Sequence, residues 1–329
     1  MIHKSVMNIS NLSPVVLFVY NRPDHAENAL MTLRANDYAE DSTLYIFSDG
    51  PKLNATDEQK RDIEETRKVI RKEKWCKEVI IIESDKNKGL ANSIINGVTD
   101  VIAKHGKVIV LEDDLLTSPY FLKFMNEALS YYEDKKAVFS ISADRPPAKK
   151  LILPENYQYD VFVSLRNFST GWATWNDRWS LVDWEMKKLD AFLSNSEQVR
   201  AFNRGGEDLT KMLIMQRNRE IDSWSIVFTF AHFAHHAVSI LPNNPYVDNI
   251  GFDGSGVHSL VTVSQRKDIT KAVENARFID IIYEDRRIIN AFYSYYHPAK
   301  RPLWQKMCNR LSRIFLGRNV FIIKKKVFA

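Results

Sequence analysis

The sequence predicts an α/β fold with a mainly parallel, doubly wound sheet. Three observations lead there. Runs rich in Val, Ile and aromatic residues alternate with helical patterns over the first 140 residues, the intervening segments are long enough for crossover helices, and four of the runs end in polar residues.

In order, "VVLFVY" (15–20), "TLYIFS" (43–48), "EVIIIE" (78–83), "KVIVLE" (107–112) and "AVFSIS" (137–142) read as strands. Segments 23–35, 56–73, 90–104 and 118–133 read as helices, the last with Ser118 as its cap and Pro119 at its first position. Open parallel sheets bind ligands at the carboxyl ends of their strands. The polar ends here are Asn21 and Arg22, Asp49 and Gly50, Ser84 and Asp85, then Glu112, Asp113 and Asp114. Four such ends on one edge describe a binding cleft.

After residue 145 the alternation fades. "DVFVSLRN" reads as a strand, "GWATWNDRWSLVDWEM" holds Trp172, Trp175, Trp179 and Trp184, and helices are expected over 207–217 and from 223 to about 237. "NNPYVDNIGFDGSGVHS" (243–259) reads as a mobile loop from its glycines and asparagines. There is no internal repeat, no low-complexity tract and no linker that separates two independently folding domains.

The chain of 329 residues suffices for one large α/β domain or two modest ones, and 45% apolar with 26% charged residues is a soluble globular composition. No uncharged apolar run reaches the length of a membrane span, and the start shows no small-residue cleavage site. Two distant cysteines, Cys76 and Cys308, make neither a disulfide framework nor a zinc spacing. A cytoplasmic location is therefore expected. Residues 301–329 contain eight Lys and Arg and no acid, so a net charge of +5 leaves the preceding 300 residues at −3.

A buried strand cannot end in three ionised carboxylates unless water, cations or a metal compensates them. Neighbouring carboxylates raise one another's pKa, and a divalent cation removes that cost. Oxygen donors suit Mg2+ or Mn2+, which bind through one or two carboxylates and leave other positions to water and phosphate. An isolated acidic triplet is ordinarily a solvated strand end; its place beside other polar strand ends favours a metal–diphosphate site.

"VIVLEDDLLTSPYFLKFMNEAL" resembles the metal-binding segment of GT-A glycosyltransferases, most closely the inverting N-acetylglucosaminyltransferase I family with its Glu-Asp-Asp form of the Asp-x-Asp motif. In order, "PVVLFVYNRP" is similar to that family's first strand, "FSDGP" to its second strand end, "GWATW" to part of its acceptor half, and "GFDGSGVHS" to a glycine-containing loop that closes over the donor. The resemblance spans roughly residues 14–260. It implies that Asp114 binds the metal directly, that Glu112 and Asp113 contact donor sugar and ribose, and that Asp49 lies near uracil and ribose. By the same resemblance Asn21 and Arg22 lie near the nucleotide, and Lys88 and Gly89 line the nucleoside pocket. Lys88 and Gly89 also read simply as a strand-to-helix loop.

Inverting transfer needs one carboxylate to take the acceptor hydroxyl's proton, while a metal and nearby cations absorb the charge of the leaving diphosphate. Asp222 in "REIDSWSIVF" stands at a helix start, and the resembled family carries an Asp-x-Trp element in this order whose Asp is the base. Asp222 also reads as a helix cap, and Glu207 and Asp208 in "GGEDLTK" remain competitors. His258 ends the glycine loop, where it could donate to a diphosphate oxygen or be an exposed turn residue. His232 and His236 have i, i+4 spacing, but without the glutamate of His-Glu-x-x-His they read as helix packing. The tryptophans suit either pyranose stacking or core anchoring.

From 303 to 315 apolar and basic residues alternate as in an amphipathic helix, which fits an anionic membrane surface or a docked helix. A nucleic-acid partner is not expected of an acidic body. The expected organisation is a nucleotide-sugar-binding half (1–145), an acceptor and catalytic half (146–265) and an extension with a basic tail (266–329). The expected activity is metal-dependent transfer from a nucleotide sugar, UDP-linked, to a glycan or lipid-linked acceptor in surface polysaccharide or lipopolysaccharide assembly. The rivals are a sugar-phosphate nucleotidyltransferase, whose "GxGTRxxPxTxxxPK" signature is replaced by "YNRPDHAE", and a non-catalytic glycan-binding protein on a degenerate scaffold.

Overall fold

The structure is a computed structural model and describes residues 11–253 and 266–296. Strand β1 (Val15–Val19) is buried throughout, with Val15, Leu17 and Val19 in one apolar cluster and Val16 and Phe18 in another. A strand that feeds two cores has no wet face, which explains its unbroken apolar run. Helix α1 (Pro23–Arg34) opens on a proline whose fixed φ suits a first helical position, and it sends Ala26, Leu30 and Leu33 to the first cluster. After β2 (Thr43–Ser48), helix α2 (Asp57–Val69) starts at a capping box between Thr56 and Gln59. Next come β3 (Glu78–Glu83), α3 (Leu90–His105) and β4 (Lys107–Glu112). Helix α3 sends Ile94, Val98, Val101 and Ile102 to the second cluster, so helices cover both faces of the sheet.

The remaining elements are β5 (Leu115–Thr117), α4 (Phe121–Tyr131), β6 (Val138–Ser142), β7 (Val161–Ser164), β8 (Trp172–Trp175), α5 (Asn176–Trp179), α6 (Leu189–Ser194), α7 (Ser196–Phe202), α8 (Leu209–Arg217), α9 (Trp224–Ala234), β9 (Val238–Pro242), β10 (Val247–Asn249) and α10 (Arg286–Tyr296). The main sheet runs β3-β2-β1-β4-β8-β6-β9-β7. The first four strands are parallel. β8 then enters antiparallel between β4 and β6, β9 lies parallel to β6, and β7 closes the edge antiparallel. The expectation of an α/β fold on a mainly parallel sheet holds, with β8 and β7 as its antiparallel strands.

Two local expectations are corrected. Helix α4 begins at Phe121, not at Ser118, because the Ser118 N–H donates to Tyr246 O at 2.8 Å and keeps that residue at the end of the β5–β10 pair. The loop expected over 243–259 contains β10, paired antiparallel with β5, because buried Tyr246 and Val247 anchor it; its residues 254–259, His258 among them, lie outside the described residues. One further helix, which the sequence reading did not assign, is α10, which packs Ile288, Phe292 and Tyr296 against Leu151, Phe162 and Leu241. The basic stretch 301–329 also lies outside the described residues. Among the described residues, no helix is long and apolar enough to cross a membrane.

Candidate active site

Because β1 to β4 run parallel, their carboxyl ends share one edge, and the residues that follow them meet there. At the end of β2 the half-buried Asp49 carboxylate accepts the Gly50 N–H at 2.9 Å and the Lys88 N–H at 3.0 and 3.1 Å on its two oxygens. It thereby pins the β3–α3 connection to β2. Gly50 permits the approach, since a Cβ there would stand 2.5 Å from Lys86 N and from Ser84 O. The Lys88 side chain is exposed and Asn21 half-buried on the same edge. A carboxylate has roughly four acceptor positions, so Asp49 retains capacity for a ligand beside Lys88.

The acidic turn after β4 is compensated from the end of β1. Arg22 pairs with Asp113 through Nη2 and Nε, and its Nη2 also donates to Asp114 Oδ2 at 3.1 Å. Burial alone would lower the Arg22 pKa, but Asp113 and Asp114 outweigh it and hold the guanidinium above its ordinary value. Burial pushes Asp113 up to about 6 against the pull of Arg22, with Asp114 adding to the rise. Glu112 keeps some accessible surface, yet burial, then Asp114 and Asp113, push it up to about 8.

Among the described residues, no three His, Cys, Asp or Glu side chains converge as a ready cation cage. The donor set fits the other kind of site, in which one carboxylate, here Asp114, would hold Mg2+ or Mn2+ and leave the remaining positions to water and phosphate. Asp114 is covered from β10: its carbonyl accepts the Ile250 N–H at 2.9 Å, and Gly251 lies directly against its carboxylate.

Asp222 reaches the same edge from the second half of the chain. It precedes α9, whose N-cap is Ser223, and its Oδ2 accepts the Ala91 N–H of α3 at 3.5 Å, across 131 residues. Exposed Asp222 therefore caps α3, not the helix that it precedes, and stands beside Gly89 in the loop that Asp49 pins. The competing acids are otherwise engaged. Asp208 accepts Arg166 Nη1 at 2.8 and 3.0 Å, and Arg166 lies 4.0 Å from the Tyr296 ring centroid. Glu207 accepts the Tyr293 hydroxyl at 3.1 Å.

Trp172, Trp175 and Trp179 are core residues, at most 3% exposed, and Trp172 packs 4.6 Å from Trp224; only Trp184 of that segment is half-buried. Sugar stacking is closed to the first three. His232 is buried between Ser140 Oγ, at 2.8 Å, and Phe228 O, at 2.7 Å, whereas His236 is exposed beyond the end of α9. Packing explains that pair, as its spacing without a glutamate suggests.

Sequence reasoning missed a second polar group on this edge. Buried Asp144, after β6, pairs with Lys267, and buried Asp248 of β10 pairs with Arg266 and accepts the Lys267 N–H at 2.8 Å. Arg145 donates to Asn243 O and Oδ1 at 2.7 and 2.9 Å. The signal was there, since "SISADR" ends a strand in polar residues as the other four do.

No protein-family model and no curated protein matches the chain. Solved structures similar to it include the mannosyltransferase PcManGT from Pyrobaculum calidifontis in complex with GDP-Man and Mn2+, at 12% identity over 68% of this chain and 74% of that one, with TM-score 0.37. S. aureus TarS 1–349 is 12% identical over 72% and 59%, with TM-score 0.39. UDP-glucose pyrophosphorylase complexed with UDP-glucose is 11% identical over 70% and 90%, with TM-score 0.35. Similarity of this size assigns no residue roles.

Proposed function

We propose that the chain is a GT-A-type glycosyltransferase that moves a sugar from a nucleotide sugar, UDP-linked, to an acceptor hydroxyl with inversion. One observation carries the reading: the acidic turn Glu112–Asp113–Asp114 and the carboxylate of Asp222, from opposite halves of the chain, come to one sheet edge beside Asp49 and Arg22. Asp114 would hold Mg2+ or Mn2+, which when bound supplies charge compensation for the leaving diphosphate. Arg22 adds hydrogen-bond donors to that charge, Asp49 and Lys88 border the nucleoside, and Glu112 and Asp113 border ribose and donor sugar. Asp222, exposed and so reachable by an acceptor, takes the hydroxyl proton as the oxygen attacks the anomeric carbon. The engagement of Asp208 by Arg166 supports Asp222 over its competitor. Residues 1–145 would then form the donor half and 146–265 the acceptor half. A glycan or lipid-linked acceptor of surface polysaccharide assembly fits the basic tail, whose contact with an anionic membrane is part of this proposal.

Isothermal titration of UDP and of GDP, each with and without Mn2+, tests the site. Metal-dependent binding that is lost in Asp114→Ala supports it; absence of binding under every condition moves the reading to a non-catalytic glycan-binding protein. Release of pyrophosphate from a nucleoside triphosphate and a sugar phosphate, without transfer from any nucleotide sugar, would move it to a nucleotidyltransferase.

A further inference from the structure

Resting on the site described above, we propose that Arg22 is a resident counter-ion that occupies the cation's electrostatic place, so that the divalent ion loads with the nucleotide diphosphate and not ahead of it. Nη2 of Arg22 is shared between Asp113 and Asp114, which commits one oxygen of the carboxylate assigned to the metal. A free divalent ion at Asp114 meets this fixed positive charge within a few ångströms, where charge–charge repulsion is strong in a partly buried site. To enter alone it must strip a charge-assisted hydrogen bond and offer the guanidinium nothing in exchange.

A diphosphate alters that balance. Nη1 of Arg22 is buried and has no hydrogen-bond partner among the described residues. Phosphate oxygens match the planar fork of a guanidinium, so they can take Nη1 and draw the group away from Asp114 while Asp113 retains it. Arg22 immediately precedes Pro23 at the start of α1, so its backbone is held and the change falls to the side chain. Arg22 is in this sense a positioning residue: it keeps the carboxylates compensated until a ligand brings both an ion and an acceptor.

The test reads Mn2+ binding directly, by the electron paramagnetic resonance signal of the free ion, with thermal melts as a second measure. Wild type, Arg22→Met, Arg22→Lys and Asp114→Asn are each titrated with Mn2+ alone and with Mn2+ plus UDP or GDP. Arg22→Met is expected to bind Mn2+ alone at least about tenfold more tightly than wild type and to gain more melting temperature from it; Arg22→Lys, which keeps the charge, should stay near wild type. Arg22→Gln replaces the methionine variant if circular dichroism shows that the latter does not fold. Nucleotide-dependent Mn2+ binding in wild type, with neither uncharged variant binding the free ion more tightly, overturns the counter-ion role and leaves the site standing. Tight binding of free Mn2+ by wild type overturns it too. Absence of Mn2+ binding by every protein under every condition removes the site and the inference together.

Discussion

The backbone of Gly251 lies against the carboxylate of Asp114, so closely that a Cβ on residue 251 would fall inside the contact distance of Asp114 Oδ2 and stand 3.0 Å from its Cγ. Gly251→Ala must push that carboxylate aside. Overpacking of this kind costs about 1–3 kcal/mol, and the displaced group here is the proposed metal ligand. The variant is expected to fold, with a melting temperature a few degrees lower by the usual stability-to-temperature conversion, and to bind Mn2+–nucleotide about tenfold more weakly. Unchanged affinity in a folded Gly251→Ala protein would remove Asp114 from the metal's shell.

Asp222→Asn separates chemistry from binding. The substitution keeps an acceptor for the Ala91 N–H and removes the base, so transfer should slow by about 10²–10⁴-fold while nucleotide affinity holds. The lost helix-terminus charge contributes about 1 kcal/mol or less to stability. Titration, denaturant melts and initial rates on one preparation measure all three quantities. Full activity in this variant would hand the role of base to another group.

For Asp208 the opposite pattern is expected. Asp208→Ala strands the buried Arg166 guanidinium, which should cost about 3 kcal/mol by analogy with other broken buried pairs, and transfer per folded molecule should persist. Glu207→Gln still accepts the Tyr293 hydroxyl and should be close to neutral in both respects. Urea denaturation and rates normalised to folded protein decide this; a folded but inactive Asp208 variant would reverse the assignment.

Asp49→Ala frees the Lys88 N–H and loosens the β3–α3 connection. A stability loss of about 1–2 kcal/mol is expected for the missing charged acceptor, along with weaker nucleotide binding. Hydrogen exchange at the Lys88 amide should accelerate specifically. Protection unchanged at Lys88 would show that another group holds the loop.

His232 makes the stability of the fold sensitive to acid. Burial pushes its pKa down to about 4, with the Phe228 carbonyl opposing, whereas an unfolded histidine titrates near 6.5. Between these values the unfolded chain holds the extra proton. This contribution is therefore intact above about pH 6.5 and is lost as pH falls toward 4, by on the order of 3 kcal/mol in all. Between about pH 6.5 and 4 the stability of wild type should fall more steeply than that of His232→Gln; parallel curves would refute a buried neutral imidazole.

Local sequence pattern specifies the parallel half of the sheet and the content of its edge. Strands such as Val15–Val19 and Lys107–Glu112 are legible because burial on two faces demands an unbroken apolar run, and the polar residues that end them stand out by contrast. The tertiary structure alone decided what those polar residues touch. Arg22 on Asp113 and Asp114, Gly251 on Asp114 and Asp222 on Ala91 each join residues at least 91 positions apart, and no local pattern encodes such a contact. The same holds for β8 and β10. The Val-Asp-Asn of β10 carries little strand preference, and the Trp-Ala-Thr-Trp of β8, though β-prone, is too short to announce its partners; each pairs because β5, or β4 and β6, offer unpaired backbone groups beside it. Trp172 shows the limit most clearly: an indole serves a sugar or a core equally well, and only the packing of Trp179, Trp224 and Phe228 around it settles for the core.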